Sequence, residues 1–124
     1  MNELEGFEIG GDHAEYRPVG DLSLAQVIPL ISSGIAFARE RQVRNLMVVT
    51  LGLTGFQPPN VIERYYFINE WAKASGHSVH DAVVAYPEMI DPEKFGVTVA
   101  TNIGFVCDVF TSEEQALAWL RIEK

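Results

Sequence analysis

Asn45-Leu46-Met47-Val48-Val49-Thr50-Leu51 is apolar on both alternating parities and β-branched at its centre. A strand with one face in water alternates apolar and polar residues, so this run reads as a strand buried on both faces, as in the middle of a parallel sheet. Asp81-Ala82-Val83-Val84-Ala85-Tyr86 has the same character. Parallel neighbours need a crossover between them, and Val61–Ala74 supplies a helix. Asn60 caps its start with Glu63 at the reciprocal position, and Ser75-Gly76 ends it.

Working outward, Ala14–Val19 reads as a short strand closed by Gly20-Asp21. Ser23 and Gln26 have capping-box spacing, and Leu24, Val27, Ile28, Ile31, Ile35 and Ala38 follow at helical intervals. Pro29 inside that helix removes one hydrogen bond. Gly52, Gly55, Pro58 and Pro59 enforce a loop. Asp91-Pro92-Glu93 supplies a cap, a proline at the first position and an acid in the first turn. Val97–Thr101 favours a strand on propensity, whereas Phe95, Val99 and Ile103 fit a helical stripe. The alternation already in place favours a helix there, ending at Gly104. Val106–Phe110 is a short strand, and Thr111-Ser112-Glu113-Glu114 offers a capping box for a last helix over Glu113–Arg121. The expectation is one α/β domain over residues 13–124, with four to five strands and helices in alternating βα order and right-handed crossovers. Met1–Asp12 precedes it as an acidic arm or edge strand.

The 124 residues suit one domain, and 48% apolar composition excludes intrinsic disorder. Seventeen acids against nine Lys and Arg give a net charge of −8, which argues against nucleic acid or an anionic membrane as partner. Five of those acids, Glu3, Glu5, Glu8, Asp12 and Glu15, lie in Met1–Tyr16 with no base among them, so the rest is only mildly acidic. Glu3, Glu5 and Glu8 read as an arm that no core holds. One cysteine, Cys107, excludes an internal disulfide and a cysteine-based zinc cluster. No run approaches the ~18 apolar residues of a membrane span, and no leader pattern opens the chain, so a soluble, cytoplasmic protein is expected.

Chemistry-bearing motifs are few. His77-Ser78-Val79-His80-Asp81 places two imidazoles and a carboxylate close together, which is the basis for a metal-assisted enzyme. A helix ending at Gly76 and a strand starting nearby put these residues at different phases, so no metal is expected and the histidines read as solvated loop residues. Cys107 sits in an apolar strand, where a thiol behaves as a small buried hydrophobe. There is no Gly-x-Ser-x-Gly elbow, Gly52-Leu53-Thr54-Gly55 lacks the phosphate-loop lysine, and Ser32-Ser33 read as small residues that allow close packing. No catalytic residue and no cofactor are expected. The helix Val61–Ala74 is the most informative surface. Val61, Tyr65, Ile68 and Ala72 form one core stripe, and Tyr66, Phe67 and Trp71 flank it, so the helix needs a second burial partner. Subunit contact and a small apolar pocket are the two candidates, with Arg64 able to supply a polar contact.

Two segments carry a family resemblance. Ile90-Asp91-Pro92-Glu93-Lys94-Phe95-Gly96-Val97-Thr98-Val99-Ala100, and Val109–Leu120 with its Ala116-Leu117-Ala118-Trp119-Leu120 run, resemble an uncharacterised bacterial branch of the STAS domain. That is the fold of bacterial anti-sigma-factor antagonists, and the resemblance covers about Ala14–Leu120. It implies a STAS-like fold and a regulatory or protein-interaction module without catalysis, expected here as a homodimer. Family members are switched by phosphorylation of a Ser or Thr in an Asp-Ser-Ser-Gly-like stretch at the start of the helix after the second long strand. The equivalent stretch, Leu53–Asn60, has no Asp-Ser pair, and Thr54 is its only acceptor. Thr54, Phe56, Arg64, Tyr66, Phe67 and Trp71 are the expected interface or pocket residues. A small apolar ligand-binding or carrier protein is the alternative reading.

Overall fold

Side-chain parity in two central strands divides the interior into two cores. The computed structural model describes residues 3–122 and 124. Its strands are β1 (Phe7–Gly10), β2 (His13–Tyr16), β3 (Gly20–Asp21), β4 (Asn45–Val49), β5 (Leu53–Thr54), β6 (His80–Val84) and β7 (Cys107–Phe110). Its helices are α1 (Leu24–Glu40), α2 (Val61–Ser75), α3 (Phe95–Asn102) and α4 (Glu113–Leu120). The main sheet runs β1-β2-β4-β6-β7, antiparallel between β1 and β2 and parallel thereafter. Crossovers of one hand between strands laid down in sequential order put every connecting helix on one face. Accordingly Leu46, Val48 and Val83 pack with residues of α1, α2 and α3. Met47, Val49, Ala82 and Val84 face the other way, onto Ala116 and Leu120 of α4.

Local signals place most of the boundaries. Ser23 and Gln26 form the expected reciprocal cap of α1, as do Asn60 and Glu63 of α2 at 2.8 Å in each direction. Gly76 ends α2 in the left-handed region at φ 56°. The ambiguous segment Val97–Thr101 is helical, within α3.

Three expectations shift. The helix expected from Asp91 begins at Phe95, because Asp91 closes a turn first: its carbonyl accepts from Lys94 N–H, and its carboxylate accepts from Phe95 N–H at 2.7 Å. The cap of α4 lies one residue late, at Ser112, whose hydroxyl accepts from Gln115 N–H. The loop after β4 contains β5, which pairs with β3 as a separate two-stranded ribbon.

The N-terminal segment is the edge strand β1 rather than an arm that no core holds. Leu4 and Phe7 are partly buried against the main core, and the Phe7 ring meets Phe37 edge-on at 4.7 Å. Its neighbouring acids are matched by bases: Arg17 donates to both Glu15 and Glu113, and Arg121 to Asp12. These exposed pairs tie β2 and the preceding turn to both ends of α4, each contributing little alone.

One close approach sets how α1 lies on the sheet. A Cβ added at Gly34 would overlap the ring of Tyr16, which is 1% exposed. The small-residue contact expected of Ser32-Ser33 is thus made by the next residue. Gly34→Ala is expected to destabilise the fold by about 1–3 kcal/mol through overpacking, although the same change at an exposed helix site gains up to about 1 kcal/mol. A fall in the urea midpoint at unchanged slope checks it.

Candidate functional site

In open α/β sheets, ligands sit outside the carboxyl ends of the parallel strands, where loops diverge and helices begin. Here a cavity of about 120 Å³ lies under α2, reaching the carboxyl ends of β4 and β6 and running along β7. Val83, Cys107 and Val109 form its sheet side, and Leu24, Val27 and Ile31 of α1 one wall. Phe67, Ile68 and Trp71 of α2 form the opposite wall, and Phe56 and Pro59 close one edge. The rim after β6 carries Tyr86, Met89, Ile90, Asp91 and Lys94. Polar side chains are few, and most are engaged. Lys94 Nζ donates to Asp108 at 2.9 Å, and the Tyr86 hydroxyl donates to Leu51 O.

Four of the six expected residues converge there: Phe56, Arg64, Phe67 and Trp71. Phe67 and Trp71 stack at 4.4 Å, and the Trp71 indole donates to Ile28 O at 3.1 Å, which locks α2 to α1. Tyr66 points away from the cavity and is 55% exposed. Thr54 lies outside it on β5, its hydroxyl donating to Asp21 Oδ1 at 3.3 Å.

The expected core stripe of α2 is corrected by its rotation. Val61 and Tyr65 are 58% and 57% exposed, whereas Phe67, Ile68 and Trp71 are buried. Both stripes have helical spacing, so periodicity could not choose between them. The indole and phenyl rings offer more area to bury against α1 and α3, and that decides which way the helix turns.

The histidine cluster does not assemble. His80 and Asp81 are consecutive on β6 and so face opposite sides of the sheet. His77 Nδ1 donates to Gly104 O at 3.2 Å, and His80 Nε2 lies 3.5 Å from Arg44. Burial, with Arg44 and then Lys124 nearby, lowers the His80 pKa. Among the described residues no group of three His, Cys, Asp or Glu is placed to hold a metal.

Asp81, read from the sequence only as the carboxylate beside two histidines, is the residue whose burial that reading missed. It shares the parity of Val83, pairs in register with Leu46 and Cys107, and is 0% exposed. Among the described residues neither carboxyl oxygen has a hydrogen-bond partner. Burial raises its pKa to about 7 and, with Asp81 and Asp108 adding to it, pushes the Cys107 thiol well up. The available signal was parity: an acid opening a strand buried on both faces has nowhere polar to point.

No family model and no curated protein sequence matches the chain. The NMR structure of the protein TM1081 is similar over 99% of this chain and 93% of that one, with a TM-score of 0.52 at 11% identity. The likeness is one of fold. No helix among the described residues is long and apolar enough to cross a membrane.

The pH dependence that Asp81 imposes has a definite sign. The folded carboxyl, near 7, keeps its proton where the unfolded one, with a pKa of about 3.9, has lost it, so stability falls as pH rises between those values. The loss is on the order of 4 kcal/mol, complete above the folded pKa. Asp81→Asn removes this dependence. Urea midpoints at pH 4.5 and 7.5 should show the variant gaining on the wild type at the higher pH; equal shifts in both proteins would contradict it.

Proposed function

We propose that this chain is a non-catalytic binding module of STAS-like architecture whose working part is the cavity beneath α2. The observation that carries the reading is the cavity itself, preformed, mostly apolar and set at the carboxyl ends of the parallel strands. An enclosed apolar cavity of about 150 Å³ binds benzene, so about 120 Å³ opening onto a rim suits a phenyl or branched alkyl group with its remainder outside. A metal-assisted enzyme finds no support, because His80 and Asp81 lie on opposite faces of β6.

The STAS-like reading rests on the residues that carry the resemblance and on the βα alternation, an argument from analogy. The Thr54 hydroxyl is close to the Asp21 carboxylate. A phosphate there would meet that negative charge, which weighs against the phosphorylation switch.

Self-association or a protein partner is the second reading, and the outer face of α2 favours it. Val61, Ile62, Tyr65 and Tyr66 are all more than half exposed, with Ile62 at 79%. Such a group of large apolar side chains is typical of interaction surfaces. Trp71 is not part of it and is unsuited to testing it, since removing a buried tryptophan costs about 3–5 kcal/mol of fold stability.

For the cavity, saturating benzene should raise the wild-type melting temperature by about 4 °C and leave Val97→Phe, whose ring fills the cavity, unmoved. No rise in the wild type overturns the reading. For the outer face, light scattering after size exclusion should give a wild-type dimer and an Ile62→Glu monomer; a monomeric wild type removes the homodimer.

A further inference from the structure

Among the described residues, Arg64 is the one cation in the cavity wall without an anion. It is half-buried, and among the described residues it forms no ion pair and a single hydrogen bond, from Nη2 to Met89 O at 3.3 Å. The other charged groups of the lining are already matched. Lys94 pairs with Asp108 at 2.9 Å, and the Asp91 carboxylate accepts from Phe95 N–H at 2.7 Å. A guanidinium presents five donors in a planar fork that fits a carboxylate with two parallel hydrogen bonds. On the same face of α2 as Phe67 and Ile68 and lining the same mostly apolar cavity, it is half-buried, with one backbone carbonyl to replace lost water. In a chain with a net charge of −8 the guanidinium is left unpaired among the described residues, the one carboxylate of the lining, Asp91, being engaged by Phe95 N–H.

We infer that the cavity takes a small monocarboxylate, with a phenyl- or isobutyl-sized group inserted among Val27, Phe67, Trp71 and Val83 and its carboxylate held by Arg64 at the rim. The assignment rests on the cavity being a ligand site and adds the charge and orientation of the ligand. One unmatched cation balances one negative charge. A phosphate ester would bring a second charge to a rim that already holds Asp91, so a monoanion is preferred to a dianion.

Calorimetric titration with phenylacetate, its neutral isostere phenylacetamide and phenyl phosphate tests this on the whole chain. The wild type should bind phenylacetate at least about tenfold more tightly than either of the others, in line with the worth of a charge-assisted hydrogen bond. Arg64→Met, which keeps the apolar stem, should reduce that preference to about onefold, with a circular-dichroism spectrum like that of the wild type. Equal wild-type binding of the acid and the amide overturns the inference, as does a preference that survives Arg64→Met. Should Arg64→Met fail to fold, the wild-type comparison still decides. Val97→Phe separates the two levels of the argument. If it abolishes binding of the acid and amide while the wild type binds them equally, the cavity stands and the carboxylate assignment falls. If it leaves both unchanged, or if neither probe binds the wild type, both fall.

Discussion

Burial of β4 and β6 on both faces is the constraint on which the rest of the structure depends. Met47 and Val48 are neighbours in the chain, yet both are 0% exposed and belong to different cores. Each face must be covered, and the sequential strand order puts all three crossover helices on one side. The other side is left to α4, held at its ends by Arg17–Glu113 and Arg121–Asp12. The asymmetry has a structural consequence. Three helices meeting over the carboxyl ends of the strands leave a gap between them, whereas a single helix on the far face does not.

Within that arrangement α2 has two apolar faces. The inner one, with Phe67 stacked on Trp71 and the indole bonded to Ile28 O, is both a wall of the cavity and the joint between α2 and α1. The outer one, with Ile62, Tyr65 and Tyr66, is exposed. Structure and site therefore share residues. Truncation of Trp71 or Phe67 acts on the fold before it acts on binding, so the cavity is better probed from α3, through Val97, or from its charge, through Arg64.

Asp81 shows the same core from its costly side. Among the described residues neither of its oxygens has a partner, and burial shifts the carboxyl toward its neutral form by raising its pKa to about 7. Its register neighbour Cys107 and, two residues along its own strand, Val83 both line the cavity, so the unpartnered carboxyl lies next to the cavity's sheet side. Such a group is retained at a cost to stability that an apolar residue would avoid.

The chain alone determined what depends on nearest neighbours and on period. The two-sided apolar runs at Asn45 and Asp81 specify central parallel strands, Asn60 with Glu63 starts α2, and Gly76 ends it, because these signals act within a few residues. Arg64, Phe67 and Trp71 were legible as a group for the same reason, as aromatics and one cation on a helix too apolar for a single partner, with Phe56 in the loop before it. What only the tertiary structure decided was orientation. Two stripes of α2 have equal helical spacing, and packing against α1 and α3 chose the one with the larger rings. Placing Asp81 inside needed its parity to be set by neighbours on β4 and β7, and Arg64's lack of an anion is a property of everything around it. Periodicity says which residues share a face; which face is buried is settled by the elements that arrive from elsewhere in the chain.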